Sequence, residues 1–145
     1  MASALKTVFV PDSLAHPEGK YVRKDAVFRD IISGEHKTYT PDAERYHLYV
    51  SMAYPWANGT LIAMKMKGLD KFAGITFSVT HPTWQRTNPS NPADTHTGWV
   101  FRSPSDGPVT PPSGFGSVGC EGCVPDDVNG AASVRDLYMQ GGNPI

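Results

Sequence analysis

Arg45-Tyr46-His47-Leu48-Tyr49-Val50-Ser51, then Pro55-Trp56-Ala57-Asn58-Gly59-Thr60-Leu61-Ile62-Ala63-Met64-Lys65-Met66-Lys67-Gly68, then Ile75-Thr76-Phe77-Ser78-Val79-Thr80 together decide the fold. In the first segment Tyr46, Leu48 and Val50 alternate with His47, Tyr49 and Ser51, the two-residue period of a strand built from β-favouring side chains. Pro55 suits a first helical turn, where its missing N–H has no partner to lose. Good helix formers continue to Lys67, and Gly68 stops the run. At about 100° per residue, Ala57, Leu61, Met64 and Gly68 share one helix face, and Ile62, Met66 and Leu69 share an adjoining one. So broad a stripe predicts burial along much of the helix. Ile75, Phe77 and Val79 alternate with Thr76, Ser78 and Thr80 as a second strand. A connection that contains a helix makes the two strands parallel, in a right-handed βαβ unit. Ser51-Met52-Ala53-Tyr54 then lies beyond the carboxyl end of the first strand and at the helix N-terminus, where α/β folds place ligands. Tyr54 is therefore a candidate site; alternatively, Tyr54 and Trp56 pack across the top of the helix.

Working outward, the 145 residues carry 13 Lys+Arg against 14 Asp+Glu, a formal charge of −1. This gives no basic footprint for nucleic acid. A chain of this length buries about 70% of its unfolded surface, enough for one core. Apolar runs are too short to span a membrane, and the opening Met-Ala-Ser-Ala-Leu-Lys lacks the features of a secretory signal. The expectation is a soluble, intracellular protein, in the cytosol or an organelle. The chain has 14 Gly and 13 Pro, crowded toward Ser103 to Pro144. Such punctuation interrupts helices and strands. The predicted organisation is an N-terminal extension with a short helical turn over 1–44, a core over 45–102, and an irregular tail over 103–145 ending in a short helix.

The two cysteines, Cys120 and Cys123, sit in Gly119-Cys120-Glu121-Gly122-Cys123. They are too few for a disulfide framework. A structural zinc needs two more ligands, and the histidines show no matching spacing, so no metal is expected. A redox pair draws a low thiolate pKa from a helix N-terminus, whereas these lie among glycines and before Val124-Pro125. Loop cysteines, unpaired or incidentally bridged, and a functional thiol pair both remain open readings.

Arg45-Tyr46-His47-Leu48-Tyr49-Val50-Ser51, Ala53-Tyr54-Pro55-Trp56-Ala57, Thr60-Leu61-Ile62, Lys67-Gly68-Leu69 and Gly98-Trp99-Val100-Phe101 resemble, in order, the glutathionyl-hydroquinone reductases, the Xi class of glutathione transferases. Phe28-Arg29-Asp30-Ile31-Ile32-Ser33 and Asp136-Leu137-Tyr138 resemble the flanking segments of that family. The resemblance implies a thioredoxin-like N-terminal domain followed by an all-helical one, with glutathione as cofactor if the family's function is retained. It also implies a cysteine opening a Cys-Pro-Trp-Ala motif, which attacks the glutathionyl group and is released by a second glutathione. That position here is Tyr54, followed by Pro55 and Trp56; a phenol has no sulfur for thiol–disulfide exchange. Where the family has His-Arg after the motif, this chain has Asn58-Gly59, and Trp99 falls where the family's tryptophan packs beside bound glutathione. The alternative for Trp99 is a core or interface anchor.

These departures predict an incomplete thioredoxin-like α/β unit with long irregular loops, no C-terminal helical domain and no catalytic residue. Gln85 to Thr97 and Arg102 to Asn129 read as insertions, either dispensable surface or partner-binding loops. The chain stops at Asn143-Pro144-Ile145, before the family's Val-Pro segment. A lone βαβ unit covers one sheet face at best and leaves both edges open, so order is expected to depend on other protein subunits. The function expected is a non-catalytic accessory or structural subunit of a larger assembly. The alternative is a glutathione-dependent oxidoreductase or transferase acting on glutathionyl-hydroquinones, if the native chain is longer. A small metal-binding module through Cys120 and Cys123 ranks last.

Overall fold

The computed structural model describes residues 28–111 and 114–141. The chain divides into two compact units between Asp42 and Ala43. In the first, residues 28–42 are irregular and organised by His36, whose Nδ1 accepts the amides of Thr38 (3.0 Å) and Tyr39 (2.8 Å) while Nε2 lies 3.2 Å from Asp30 Oδ1. Among 28–44 no helix forms, although the His36 amide closes a single turn on Ser33 O at 3.1 Å, and residues 1–27 lie outside the described residues.

The second unit runs β1 (His47–Ser51), α1 (Pro55–Met66), α2 (Leu69–Phe72), β2 (Thr76–Thr80), β3 (Gln85–Arg86), β4 (Thr97–Gly98) and α3 (Val134–Gln140). β1 and β2 pair in parallel, with Leu48 opposite Phe77 and Val50 opposite Val79, which is the βαβ unit expected from the periodicity. Gly68 ends α1 at φ 65°, and a Cβ there would meet the Phe72 ring at 2.8 Å. The left-handed backbone requires glycine, whereas the Phe72 ring, 87% exposed, could swing aside. The chain then turns into α2, a short element that the sequence reading missed.

Side-chain alternation gives the sheet two unlike faces. Leu48, Val50, Phe77 and Val79 point toward α1, where Met64 is the helix's buried residue and Lys65 Nζ lies 4.8 Å from the centroid of the Phe77 ring. The expectation of burial along much of α1 is corrected here: Trp56 is 67% exposed, Ile62 57% and Met66 82%. A two-stranded sheet is too narrow to cover more than one row of a helix.

The polar face and the outer edge of β2 correct a second expectation. Both were read as open, and the tail covers them. Val79 and Val124 exchange backbone hydrogen bonds of 2.9 and 3.0 Å, and the His81 amide donates to Val100 O at 2.9 Å. On the polar face Tyr49 packs against Phe101, ring centroids 5.6 Å apart, and donates its hydroxyl to Asp126. Gln85 to Thr97 is closed as a hairpin by the antiparallel pair β3 and β4. The buried core is Val50, Met64, Val79, Phe101, Cys120, Cys123 and Ala131, joined by the fully enclosed Ser78, Thr80, His81 and Ser133. The outer edge of β1 has no strand partner among the described residues.

Candidate functional site

Tyr54 is the N-cap residue of α1, in extended conformation, and its side chain makes no capping bond. The sequence places it there because β1 ends at Ser51, whose carbonyl accepts the Tyr54 amide (3.1 Å), and because Pro55 can only begin a helix. The Tyr54 carbonyl accepts the Asn58 amide at 3.2 Å, while the Asn58 side chain donates to Met52 O at 3.0 Å. Tyr54 and Trp56 meet edge to face at 5.3 Å, on the exposed end of the helix. The first turn of α1 holds no acidic residue. The residues that open the helix, Tyr54 to Asn58, therefore offer an aromatic pair but neither a thiol nor a cationic side chain.

The structure does not gather the sequence-chosen residues into one cluster. Tyr54, Pro55 and Trp56 stand together at the start of α1, whereas Trp99, next to β4, packs edge to face on Trp84 at 5.6 Å. The Trp99 carbonyl accepts the Val134 amide at the start of α3 (3.0 Å). Cys120 and Cys123 are bonded to each other as a disulfide and buried beside β2. Both sulfurs are thereby spent, and among the described residues no group of three or more His, Cys, Asp or Glu is placed to hold a metal.

Sequence reasoning missed the polar network that holds the tail to the sheet. The Ser78 hydroxyl donates to Pro125 O (2.9 Å), so it accepts from His47 Nε2 at 2.8 Å, leaving His47 Nδ1 to accept from the Thr76 hydroxyl (2.6 Å). Ser78 thus fixes a proton on Nε2, while Nδ1 accepts from Thr76 in the neutral form that burial favours. Asp126 Oδ1 accepts from Tyr49 Oη and from the amides of Val128 and Asn129, and Oδ2 from the amide of Ala131. The signal was in Asp126-Asp127-Val128-Asn129-Gly130, a pattern in which an aspartate caps the turn that follows it. Beside the hairpin, Arg135 Nη1 pairs with Asp94 Oδ2 at 2.6 Å, and His96 Nδ1 lies 3.0 Å from Thr87 Oγ1.

Burial lowers His47, against the opposing pull of Asp126, and burial together with Arg135 lowers His96, against Asp94. Burial alone would raise Asp126, but its amide donors and Tyr49 outweigh this and lower it; Asp94 is lowered by Arg135 and the His96 amide. All four groups bind protons more readily when unfolded, so stability falls as pH falls. We expect acid titration of the melting temperature to show two descending limbs, one starting near about pH 6.5 from the histidines and one near about pH 4 from the carboxylates. His47→Gln should make the first limb shallower, leaving the share of His96, and should leave the second unchanged.

No helix among the described residues is long and apolar enough to cross a membrane. No protein-family model matches the chain. Among curated proteins it is 53% identical over 53 residues to glutathione S-transferase omega-like 2 of Schizosaccharomyces pombe, covering 37% of this chain and 17% of that one. It is 36% identical over 90 residues to a glutathionyl-hydroquinone reductase of Escherichia coli, covering 57% and 24%. Among solved structures, the Xi glutathione transferase of Saccharomyces cerevisiae in complex with glutathione superposes with a TM-score of 0.57 at 28% identity, covering 83% of this chain and 36% of that one. The chain spans between 16% and 28% of the length of the curated relatives it matches. By sequence and by fold, this chain is similar to the N-terminal, thioredoxin-like part of the glutathionyl-hydroquinone reductases and Xi-class glutathione transferases.

Proposed function

We propose that the protein is a glutathione-transferase-like subunit of a larger assembly, serving an accessory or structural role rather than carrying out sulfur chemistry at the start of α1. The observation that carries this reading is Tyr54 at the N-cap of α1, where the resemblance implies an attacking cysteine. A phenol can donate or accept a hydrogen bond there, but it cannot form a mixed disulfide with glutathione. The exposed surface of α1 and α2 supports the subunit role, since Trp56, Ile62, Met66 and Phe72 leave large apolar groups in water there. Large apolar groups exposed on neighbouring elements favour a protein neighbour over water.

A second reading is retention of glutathione as a ligand without turnover. The solved relative is in complex with glutathione, and Trp99 holds the matching position in the resemblance.

Size-exclusion chromatography of native extract, with turnover of a glutathionyl-hydroquinone assayed across the fractions, tests the proposal. The native protein should elute well above its own mass and without activity in its fractions. A triple Trp56→Ser, Met66→Ser, Phe72→Ser variant should shift toward the mass of the free chain. Elution of the native protein at its own mass, or turnover that tracks with it, overturns the reading.

A further inference from the structure

The Cys120-Glu121-Gly122-Cys123 loop does more than cross-link its own ends. The Cys123 amide donates to Cys120 O at 2.9 Å, so the disulfide closes a tight turn. The three residues that leave this turn are the ones that hold the tail to the sheet. Val124 exchanges both backbone hydrogen bonds with Val79 of β2, Pro125 O accepts the Ser78 hydroxyl, and Asp126 accepts the Tyr49 hydroxyl of β1. Just before the turn, Val118 O accepts from Nε2 of the fully buried His81, at the end of β2. Both arms of the loop thus grip β2, and the disulfide is the covalent tie between them.

We propose that Cys120 and Cys123 form a redox clasp, in which the disulfide holds the tail against β2 and the dithiol releases it. The reductant is a low-molecular-weight thiol of the glutathione class. Its thiolate attacks one sulfur of the pair, forming a mixed disulfide and expelling the other cysteine, which takes up a proton. A second thiol then displaces the remaining cysteine, so two small thiols become one small disulfide and two electrons and two protons reach the protein. Oxidation by the small disulfide runs the same steps backward.

The loop is built for slow, gated exchange. Both cysteines are buried, which bars direct attack, while Glu121 and Gly122 are exposed and a Cβ on Gly122 would meet nothing within 4 Å. Attack therefore waits on an opening of the turn at Glu121 and Gly122 that brings the sulfurs out of the core. Once reduced, two buried thiols replace a bonded pair and the turn regains the freedom that the bond removed. The Val79 and Val124 hydrogen bonds, one residue from Cys123, are the first to feel it. The clasp acts irrespective of what occupies position 54.

The test equilibrates the native protein in buffers of graded glutathione to glutathione disulfide ratio, quenches with acid, and alkylates. Free thiols are counted by mass, and amide exchange is followed in peptides containing Val79 and Val124. We expect the two thiols to appear together in one two-electron transition. Exchange at both peptides should quicken at least tenfold across it, while a peptide from the middle of α1 stays unchanged. A Cys120→Ser, Cys123→Ser variant should exchange like the reduced protein at every ratio. Thiols that appear only after denaturation, or full reduction with unchanged exchange at Val79 and Val124, overturn the clasp; either result is read on the native chain and does not require the variant to fold.

Discussion

The Tyr54→Cys variant should turn over a glutathionyl-hydroquinone at least about 100-fold more slowly than a Xi-class relative assayed beside it, because placing the atom does not restore the geometry and charge around it. Position 54 does favour a thiolate in one respect, since it caps α1 and the first turn adds no carboxylate to oppose the helix dipole. The rest of the turn is unsuited. Asn58 stands where the resemblance implies a basic pair to begin, and its amide is committed to Met52 O. Gly59 follows inside the helix, at a cost of about 1 kcal/mol against alanine, and loosens the turn that must hold the thiolate still. The unsubstituted protein should show no turnover in the same assay. Recovery of the relative's rate by the single change would mean that the surrounding residues matter far less than their chemistry suggests. Activity that persists in Tyr54→Phe and vanishes in Cys120→Ser would move the chemistry to the tail.

The largest loss of stability from a single substitution is expected at Asp126. Its side chain lies in a residue only 6% exposed and satisfies three backbone amides and the Tyr49 hydroxyl at once. Asp126→Ala leaves these donors without an acceptor in a place water reaches poorly. The expected cost is about 3 kcal/mol, or a melting temperature lower by about 10 °C. Asp126→Asn separates charge from shape. Its amide oxygen can keep the three donors on Oδ1, but its NH2 group then faces the Ala131 amide, two donors meeting across a bond that needs an acceptor. An intermediate loss is expected, together with a shallower carboxylate limb in the acid titration. Denaturant melts of both variants at neutral and acid pH check this, and an Asp126→Ala melt within about 0.5 kcal/mol of the native one would show the tail to be held elsewhere.

Much of the βαβ unit was legible in the sequence because it rests on local periodicity. The alternation of Tyr46, Leu48 and Val50, the break at Pro55, the stop at Gly68 and the alternation of Ile75, Phe77 and Val79 each report on a few neighbouring residues. The parallel pairing of β1 with β2 followed from the length of the connection. The position of Tyr54 at the helix start was legible for the same reason. Burial of α1 was misread, because a stripe says which residues face one way but not how wide the surface opposite them is. The tail was misread more seriously. Val124, Pro125 and Asp126 find partners 45 to 77 residues away, at Val79, Ser78 and Tyr49, as single contacts that carry no period of their own. Such contacts come from tertiary folding, and the density of Gly and Pro that marked the region as irregular did not mark it as detached.

The seal that the tail places on β2 also decides how copies of this chain can associate through their sheets. Strand addition needs exposed N–H and C=O groups, and runaway addition needs them on two sides, so that each newcomer presents a fresh template. Over Val79 to His81 the Val79 N–H and C=O and the His81 N–H are already engaged by Val124 and Val100, whereas among the described residues β1 keeps its outer edge. Two molecules meeting edge to edge through β1 consume the template in the act of pairing and terminate as a closed twofold. A fibril would first have to peel Val124 from Val79, so the residues that dock the tail act as a polymerisation block.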